Sequence, residues 1–289
     1  MPSSDSLSLA DKVAVVTGSG RENGIGAAIA LALARAGARV TVNYVSESSA
    51  SRAAEVGAGI ESAVGNGRVA IVQADVSTRE GSKKIVDETL AGFGVDHIDI
   101  VVNNASVVTY GSILDSKPED IMKMFQVAVV GPVLLLQAAY PHIPQHGRII
   151  NIGSVGSKLG LVQFPIYASA KAAMDQLTFS LSREVRLPNQ ISAPHLWARH
   201  VALLNCPQIG RDGKNITVNT VAPGPVVTDL MLQVPEVEPI KDYLLSMTRA
   251  EERVGTVEDI ADAVLLLTSD KSRWITGQFI SVSGGINGG

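Results

Sequence analysis

The order of apolar segments along the chain is the feature that most constrains its fold. The first apolar run, Val13–Val16, is brief, rich in β-branched residues and stopped by Gly18, which is typical of a buried strand. Similar runs follow at 39–44, 69–72, 98–102, 148–152, 216–221 and 279–282. Stretches with helical periodicity separate them, at about 26–36, 47–64, 79–91, from Pro118 onward, and at about 163–186 and 256–268.

Strict alternation of strands and helices predicts parallel βαβ units with right-handed crossovers. The expected fold class is therefore α/β, a Rossmann-type doubly wound parallel sheet of about seven strands. The length of 289 residues and the hydrophobic fraction of 46% suit one large core, so we expect a single domain over 1–289. Ligands of such sheets bind beyond the carboxyl ends of the strands, where we look for chemistry.

Composition excludes several other function classes. The net charge of −4 argues against nucleic acid or an anionic membrane as a partner. The single cysteine, Cys206, excludes an internal disulfide, and the five histidines lack metal-ligand spacing, so we expect no metal. The N-terminus carries no secretory signal, and the longest apolar stretch, 127–140, is interrupted by Gly131 and Pro132. We expect a cytoplasmic protein without a membrane partner.

A glycine-rich turn joins the first strand to the first helix. Gly18 follows the strand, and Gly24, Ile25 and Gly26 lead into the helix. Glycines let the backbone approach a pyrophosphate closely, and a helix N-terminus offers free N–H groups and a favourable dipole. The turn alone would also fit an ordinary tight connection, so it predicts dinucleotide binding only together with other signals.

The end of the second strand bears on the choice of cofactor. NAD-binding folds usually place an acid there to hold the ribose 2′-OH, whereas this strand ends at Tyr44 without one. The guanidinium of Arg21 is suited to a 2′-phosphate, with a hydroxyl from Ser46 in support. These features favour NADP(H), the alternative for Arg21 being a solvated loop residue. Asp75, after the third strand, is either an adenine contact or a turn or N-cap aspartate.

Three residues carry the chemical signal: Ser154, Tyr167 and Lys171. Tyr167 and Lys171 are four apart and share one face of a helix, while Ser154 follows the fifth strand at its carboxyl end. Hydride transfer to a carbonyl needs a proton donor, and free tyrosine, with a pKa of about 10, is a poor acid–base catalyst near neutrality. A neighbouring ammonium favours the phenolate, and a hydroxyl aimed at the carbonyl oxygen stabilises developing charge.

Taken together, these residues resemble the motifs of the short-chain dehydrogenase/reductase superfamily over nearly the whole chain. The ending of the second strand is similar to that of NADPH-dependent 3-oxoacyl and polyhydroxynaphthalene reductases. The matching pieces are Thr17-Gly18 with Gly24-Ile25-Gly26, Asp75-Val76, Asn103-Asn104-Ala105, Ser154, Tyr167-x-x-x-Lys171, and the run from Pro223 to Thr228.

The resemblance implies a role for each residue of the site. Tyr167 is the acid/base, Lys171 holds the nicotinamide ribose and tunes Tyr167, and Ser154 positions the carbonyl. The implied cofactor contacts are Gly18, Arg21, Gly24, Ile25, Gly26, Tyr44, Ser46, Asp75, Val76, Asn103, Ala105, Tyr167, Lys171, Pro223, Gly224, Val226 and Thr228. The implied function is NADP(H)-dependent reduction of a ketone, or oxidation of the matching alcohol, in biosynthetic or secondary metabolism. The implied assembly is a homodimer or homotetramer.

Two departures from the family pattern affect the site itself. The glycine turn is two residues longer, by Glu22 and Asn23, and the expected cofactor contacts persist if these residues bulge outward. Ala128 stands where the family has an asparagine whose bound water links the catalytic lysine to solvent. This second departure motivates an alternative function, an NADP-binding protein of this fold with weak or no redox activity.

A third departure is the segment 185–208, an insertion between the catalytic helix and the sixth strand. It contains three prolines and the only cysteine, with no acid and no glycine. Joining Glu184 directly to Ile209 restores an uninterrupted family sequence. Long connections without structure are uncommon inside compact domains. Two interpretations remain open, a retained intron and a natural insertion that forms a surface or interface arm.

Overall fold

Seven parallel strands form one sheet in the order β3-β2-β1-β4-β5-β6-β7. This computed structural model describes residues 7–185, 213–229, 242–243 and 245–286. The strands are β1 Val13–Val16, β2 Arg39–Tyr44, β3 Val69–Gln73, β4 Ile100–Asn103, β5 Arg148–Ile152, β6 Thr217–Pro223 and β7 Phe279–Val282. The chain reverses its direction of travel across the sheet after β3, so the switch point lies between β1 and β4. The expected doubly wound sheet is confirmed.

Helices cover both faces of the sheet. They are α1 Ile25–Arg35, α2 Ala50–Val64, α3 Arg79–Phe93, α4 Pro118–Phe125, α5 Gly131–Ala139, α6 Gly156–Leu159, α7 Pro165–Glu184 and α8 Val257–Thr268. Val16 and Val102 pack in one core cluster with α1 and α8, whereas Val15 and Val101 pack in the other with α3 and α5. Because side chains alternate across a strand, strands covered on both faces are continuously apolar, as the sequence indicated.

The long helix expected from Pro118 is interrupted. A π-helical turn, Gln126–Val130, separates α4 from α5. Pro132 lacks a backbone N–H and so breaks the regular ladder just beyond this turn, which is a recognised cause of such irregularities. The helical stretch Pro118–His142 is long and apolar enough to cross a membrane, judged by length and composition alone. In the fold, its inner side chains Met124, Ala128 and Leu135 are buried.

The start of the fourth strand differs from the prediction, and the predicted insertion is largely outside the described residues. The fourth strand was expected from residue 98 but begins at Ile100, and the N–H of Ile98 donates to the carbonyl of His142 at 3.0 Å rather than to β1. The predicted insertion 185–208 lies outside the described residues except for Val185, which is buried at the end of α7.

Candidate active site

The glycine turn after β1 is packed too tightly for side chains. Gly18 has φ +62°, and a Cβ at this position would lie 2.7 Å from the Cα of Ala105. A Cβ on Gly26 would lie 2.5 Å from Nδ2 of Asn104. That amide donates to the carbonyl of Thr17 at 2.8 Å and to that of Gly18 at 3.0 Å. The loop after β4 therefore holds the turn in shape from behind, as a phosphate cradle requires.

The N-terminus of α1 completes this cradle. Gly24 is its N-cap, no side chain caps the helix, and its first turn contains no acidic residue. Its first N–H groups and the positive end of its dipole therefore suit an anion. The two extra residues, Glu22 and Asn23, are exposed, and the N–H of Gly24 closes the bulge onto the carbonyl of Arg21 at 3.0 Å. The two extra residues thus form a closed, exposed bulge within the turn.

A network of charges that the sequence did not predict anchors this bulge. Arg52, at the start of α2, donates to Glu22 at 2.7 Å and also pairs with Asp229, which follows the loop after β6. Asn23 donates to Asp229 at 3.3 Å. The hydrogen bond from Arg52 lowers the pKa of Asp229, and the nearby charge of Arg21 lowers it further. Burial alone would raise the pKa of Glu22, but a backbone hydrogen bond and the bond from Arg52 together lower it. No sequence motif points to Arg52, since its partners are 30 and 177 residues away.

Asn43 organises the end of β2. Its side-chain oxygen accepts from the N–H of Gly18 at 3.2 Å, and its amide donates to the carbonyls of Val72 and Ala74. It therefore ties the glycine turn to β3. Sequence reasoning considered this position only for a missing acid. The buried asparagine within an apolar strand was the signal that could have revealed its structural role.

The predicted contacts near the adenosine end differ in their surroundings. Arg21 is exposed, and Ser46 is exposed with its hydroxyl 2.8 Å from that of Ser49. Tyr44 is partly buried. Asp75 accepts from the N–H and hydroxyl of Ser77 at 2.9 and 2.6 Å, which matches the turn aspartate that the sequence left open. Arg21 and Ser46 thus remain available to a ligand.

The loop after β6 is fixed at the other end of the groove. A Cβ on Gly224 would lie 2.9 Å from the Cα of Ser283, and its N–H donates to the carbonyl of Val282 at 3.0 Å. Val226 is buried and forms a bridge with Gly255. The carbonyl of Pro223 accepts from the loop that carries Ser154. The implied cofactor contacts Pro223, Gly224 and Val226 are thereby held beside the loop that carries Ser154.

Ser154, Tyr167 and Lys171 converge between β5 and α7. The hydroxyl of Ser154 accepts from the N–H of Gly156 at 3.1 Å, which fixes its direction. The ammonium of Lys171 lies 5.7 Å from the centre of the Tyr167 ring and donates to the carbonyl of Ile152, the last residue of β5, at 2.8 Å. The structure thus brings together the three predicted centre residues on two neighbouring elements.

The pKa values in this centre are set mainly by burial. Burial raises the pKa of Tyr167, although the residue stays partly accessible, and its hydrogen bond with Ser154 acts in the opposite direction. Burial lowers the pKa of Lys171 to about 8, an effect that the charge of Asp175 opposes. The neighbouring ammonium by itself predicts a lowered pKa for Tyr167. In the structure this pKa is raised, because removing a phenolate from water is costly.

Asn103, at the end of β4, belongs to a buried polar ladder. Its amide donates to Asn151 at 2.8 Å, whose own amide donates to Thr178 at 2.8 Å. The remaining oxygen of Asn103 is buried without a hydrogen-bond partner among the described residues. An unsatisfied acceptor beside the groove fits a polar ligand group there. Together with the glycine cradle and the uncapped α1, it shows that the described residues fit a dinucleotide.

Ala128 lies in the π-helical turn and is buried in an apolar cluster with Met124, Ile166 and Ala170, against which Tyr167 packs. The π-helical turn therefore packs against α7, although the side chain of Ala128 cannot bind water. Such turns often occur at functional sites.

A cavity of about 610 Å³ lies along α6 and α7, but it is not formed by the three centre residues. Its lining combines the loop after β4 with one side of α7. The lining residues are Ser112, Ile113, Leu114, Gly156, Ser157, Gly160, Leu161, Val162, Pro165, Ala168, Ser169 and Ala172. Within the described residues, no group of three or more His, Cys, Asp and Glu side chains is close enough to hold a metal ion.

This combination of fold and site defines a nicotinamide-dependent oxidoreductase, and comparison with known proteins gives its family. The short chain dehydrogenase family matches residues 12–193, and the enoyl-(acyl carrier protein) reductase family matches residues 208–287. The chain belongs to the short-chain dehydrogenase/reductase family. The resemblance expected from the sequence is confirmed, and residues 194–207, within the predicted insertion, fall between the two matches.

Relatives that are named as reductases or dehydrogenases align with almost the whole chain. A versicolorin reductase of Emericella nidulans is 35% identical, with 99% of each chain covered. A probable tetrahydroxynaphthalene reductase of Zymoseptoria tritici is 33% identical, with 98% of this chain and 97% of the relative covered. A short chain dehydrogenase from Burkholderia cenocepacia, solved with NADP, has a TM-score of 0.79 at 33% identity, covering 97% of this chain and 99% of that one. An angucycline C-6 ketoreductase with bound NADP has a TM-score of 0.77 at 31% identity, covering 96% of both chains.

Proposed function

We propose that the protein catalyses NADPH-dependent reduction of a ketone on a small organic molecule in secondary metabolism. The observation that carries this proposal is the convergence of Ser154, Tyr167 and Lys171 beside a glycine cradle at the carboxyl edge of the sheet. The reductase names of the relatives support the direction, and the cellular cofactor ratio sets it in practice.

The substrate class rests on the relatives. Proteins named as reductases of versicolorin and tetrahydroxynaphthalene, and a ketoreductase named for the angucycline C-6 position, align along nearly the full chain. We infer a ketone of polyketide origin, carried on a ring system, as the substrate to test first. A 3-oxoacyl thioester is the next class.

The mechanism follows from the three side chains. Bound NADPH supplies the hydride. The phenol of Tyr167 is protonated at neutral pH because burial raises its pKa, and it gives its proton to the carbonyl oxygen as the alkoxide develops. The hydroxyl of Ser154 donates to the same oxygen and stabilises its charge. Lys171 places a positive charge beside Tyr167, which favours the phenolate that remains.

The preference for NADP(H) rests on the adenosine end of the groove. Arg21 and Ser46 are exposed where a 2′-phosphate would lie, and β2 ends without an acid. Arginine binds phosphate with charge-assisted hydrogen bonds. Solved relatives with NADP or NADPH bound agree with this assignment.

A second candidate function has a specific observation in its favour. Ala128 is 1% exposed and surrounded by apolar side chains, so it holds no water near Lys171. In this alternative the protein binds NADP(H) but turns over slowly or not at all. Cofactor binding without turnover across the substrate panel described below would select it.

We also propose that the protein is a cytoplasmic homodimer or homotetramer without nucleic-acid or membrane partners. Exposed apolar side chains on the loop after β4, on α4 and on the loop after α6 support this assembly. Leu114, Val162 and Met122 are 91%, 75% and 71% exposed. A second copy of the chain would cover these side chains. An interface between two copies therefore explains the apolar stretch Pro118–His142 better than a membrane-spanning role does. A mass of one chain in solution would contradict it.

We propose that residues 1–289 form a single domain and that the core of this domain does not need the insertion 185–208. Joining Glu184 to Ile209 should preserve solubility and reductase rate and change the unfolding free energy by about 1 kcal/mol or less, since loop-closure entropy depends weakly on length. An insoluble or inactive deletion variant would assign the segment instead to a substrate or subunit interface.

The decisive test is a substrate panel that follows NADPH absorbance. The panel contains ring ketones of polyketide type, simple cyclic ketones and 3-oxoacyl thioesters, each with NADPH and with NADH. We expect turnover of a ring ketone with NADPH, and none with the Tyr167→Phe variant, which should still bind the cofactor. Activity limited to thioesters would change the substrate class, and equal rates with NADH would contradict the cofactor assignment.

A further inference from the structure

Asp175 is a buried carboxylate on the catalytic helix to which the proposed mechanism assigns no role. It follows Lys171 by four residues and Tyr167 by eight, so the three side chains share one face of α7. The side chain of Asp175 is only 8% exposed. A carboxylate at such a position costs free energy unless it is paired and hydrogen-bonded.

One oxygen of this carboxylate is attached to the Ser154 loop. Oδ2 accepts from the hydroxyl of Ser157 at 2.7 Å and pairs with the ammonium of Lys158 at 3.2 Å. The hydroxyl of Ser157 also lies 2.9 Å from the carbonyl of Ser154. Asp175 therefore contacts the segment that sets the direction of the Ser154 side chain.

The other oxygen has no hydrogen-bond partner among the described residues. Oδ1 is buried without a hydrogen bond, and a Cβ built on Gly153, at the end of β5, would lie 3.3 Å from it. The carboxylate thus packs against the end of β5. The carbonyl of Ile152, the residue before Gly153, accepts from Lys171 there. The negative charge of Asp175 is left incompletely compensated in this dry environment, where electrostatic interactions are strong.

We propose that Asp175 is a positioning residue of the active site, whose charge keeps Lys171 in its ammonium form and whose hydrogen bonds hold the Ser154 loop. The proposal rests on the proposed function of the Ser154, Tyr167 and Lys171 centre. Within the described residues, the titratable groups beside Lys171 are Tyr167 and Asp175 on α7, Lys158 on α6 lies on the other side of Asp175, and β5 presents a carbonyl. Lys158 is 40% exposed, so water screens its charge more than that of Asp175.

The pH dependence of ketone reduction distinguishes this role from a merely structural one. The pKa of Tyr167 is raised above its usual value of about 10, so a loss of activity near pH 8 reports Lys171. Asp175→Asn should move the midpoint of this loss down by about one pH unit, since a nearby opposite charge shifts a pKa by about that much or more. The rate at pH 8 should fall about 5- to 10-fold, while the rate at pH 6 stays within about 2-fold.

Matched variants separate charge from hydrogen bonding. Ser157→Ala keeps the carboxylate and should lower the rate without moving the midpoint, whereas Asp262→Asn, an exposed aspartate on α8, should change neither. Lys158→Met removes the competing cation and should move the midpoint upward, and this variant decides the matter if Asp175→Asn does not fold. An unmoved midpoint in the folded Asp175→Asn variant, or equal movement with Ser157→Ala, would overturn the proposal.

The Tyr167→Phe variant separates this inference from the function on which it rests. Loss of turnover in that variant together with an unmoved midpoint in Asp175→Asn would overturn only the role of Asp175. Full activity of Tyr167→Phe would overturn both.

Discussion

The two ends of the cofactor groove use similar charged groups in different surroundings. At the chemical end, Lys171 is 3% exposed and its pKa falls to about 8, because burial dominates over the charge of Asp175. At the adenosine end, Arg52 and Glu22 form an ion pair at 2.7 Å with side chains that are 34% and 36% exposed. Water screens the attraction between Arg52 and Glu22, whereas Lys171 is removed from water. Substitutions at the chemical end should therefore have the larger effects.

The largest expected effect is on catalysis at the chemical end. Tyr167→Phe should lower the reductase rate by about 10²-fold or more, the size expected for a positioned general acid. NADPH should still stabilise the variant in a thermal-shift measurement, because the cradle around Gly18 is unchanged. Near-normal turnover would show that the proton comes from elsewhere.

Next comes stability at the same end. A lysine whose pKa falls from 10.5 to about 8 on folding destabilises the protein below pH 8, and this cost disappears as the pH rises from about 8 to 10.5. Lys171→Met should therefore be inactive yet more stable at pH 7, by up to about 3 kcal/mol before the loss of the bond to Ile152 is counted. Denaturant unfolding of both proteins at pH 7 and pH 10 measures this. A stability difference between the two proteins that is the same at pH 7 and pH 10 would contradict the cost assigned to burial.

A smaller effect is expected on cofactor affinity at the adenosine end. Arg21→Gln should weaken NADPH binding about 10-fold, as expected for one charge-assisted phosphate contact, and leave NADH binding unchanged. Arg52→Gln is the matched control and should cost less than about 3-fold, because Glu22 and Asp229 already engage this guanidinium. Fluorescence titrations with both cofactors test this, and a larger loss in Arg52→Gln would exchange the two roles.

The smallest effect is expected at an exposed charge pair away from the groove. Asp259 pairs with Arg253 and completes the capping box of α8 with Thr256, and its pKa falls to about 2. Its stabilising contribution is present above about pH 4 and is lost as the pH falls toward 2. Since its side chain is 35% exposed, Asp259→Asn should cost about 1 kcal/mol or less at pH 7. Glu258→Gln, at the adjacent residue, is the control, and a cost of several kcal/mol would show that exposure does not limit the effect.

The insertion of Glu22 and Asn23 shows how far the sequence could be followed at the site. The sequence indicated a lengthened turn whose expected cofactor contacts persist if these two residues bulge outward, and both residues are exposed in the structure. It did not predict that Arg52 and Asp229 hold the bulge, because contacts across 30 and 177 residues leave no local pattern. The sequence did not indicate a role for Asp175 for a similar reason. A single aspartate on a helix forms no distinctive pattern, and only the structure shows that it is buried.

The sequence by itself determined the order and type of the elements, the parallel sheet and the three residues of the centre. These depend on local periodicity, glycine positions and the spacing of Tyr167 and Lys171, all of which are written along the chain. Only the tertiary structure decided how the charges behave. The pKa of Tyr167 rises because neighbouring elements exclude water from it. Desolvation and packing depend on what surrounds a residue in space, which its neighbours in sequence do not specify.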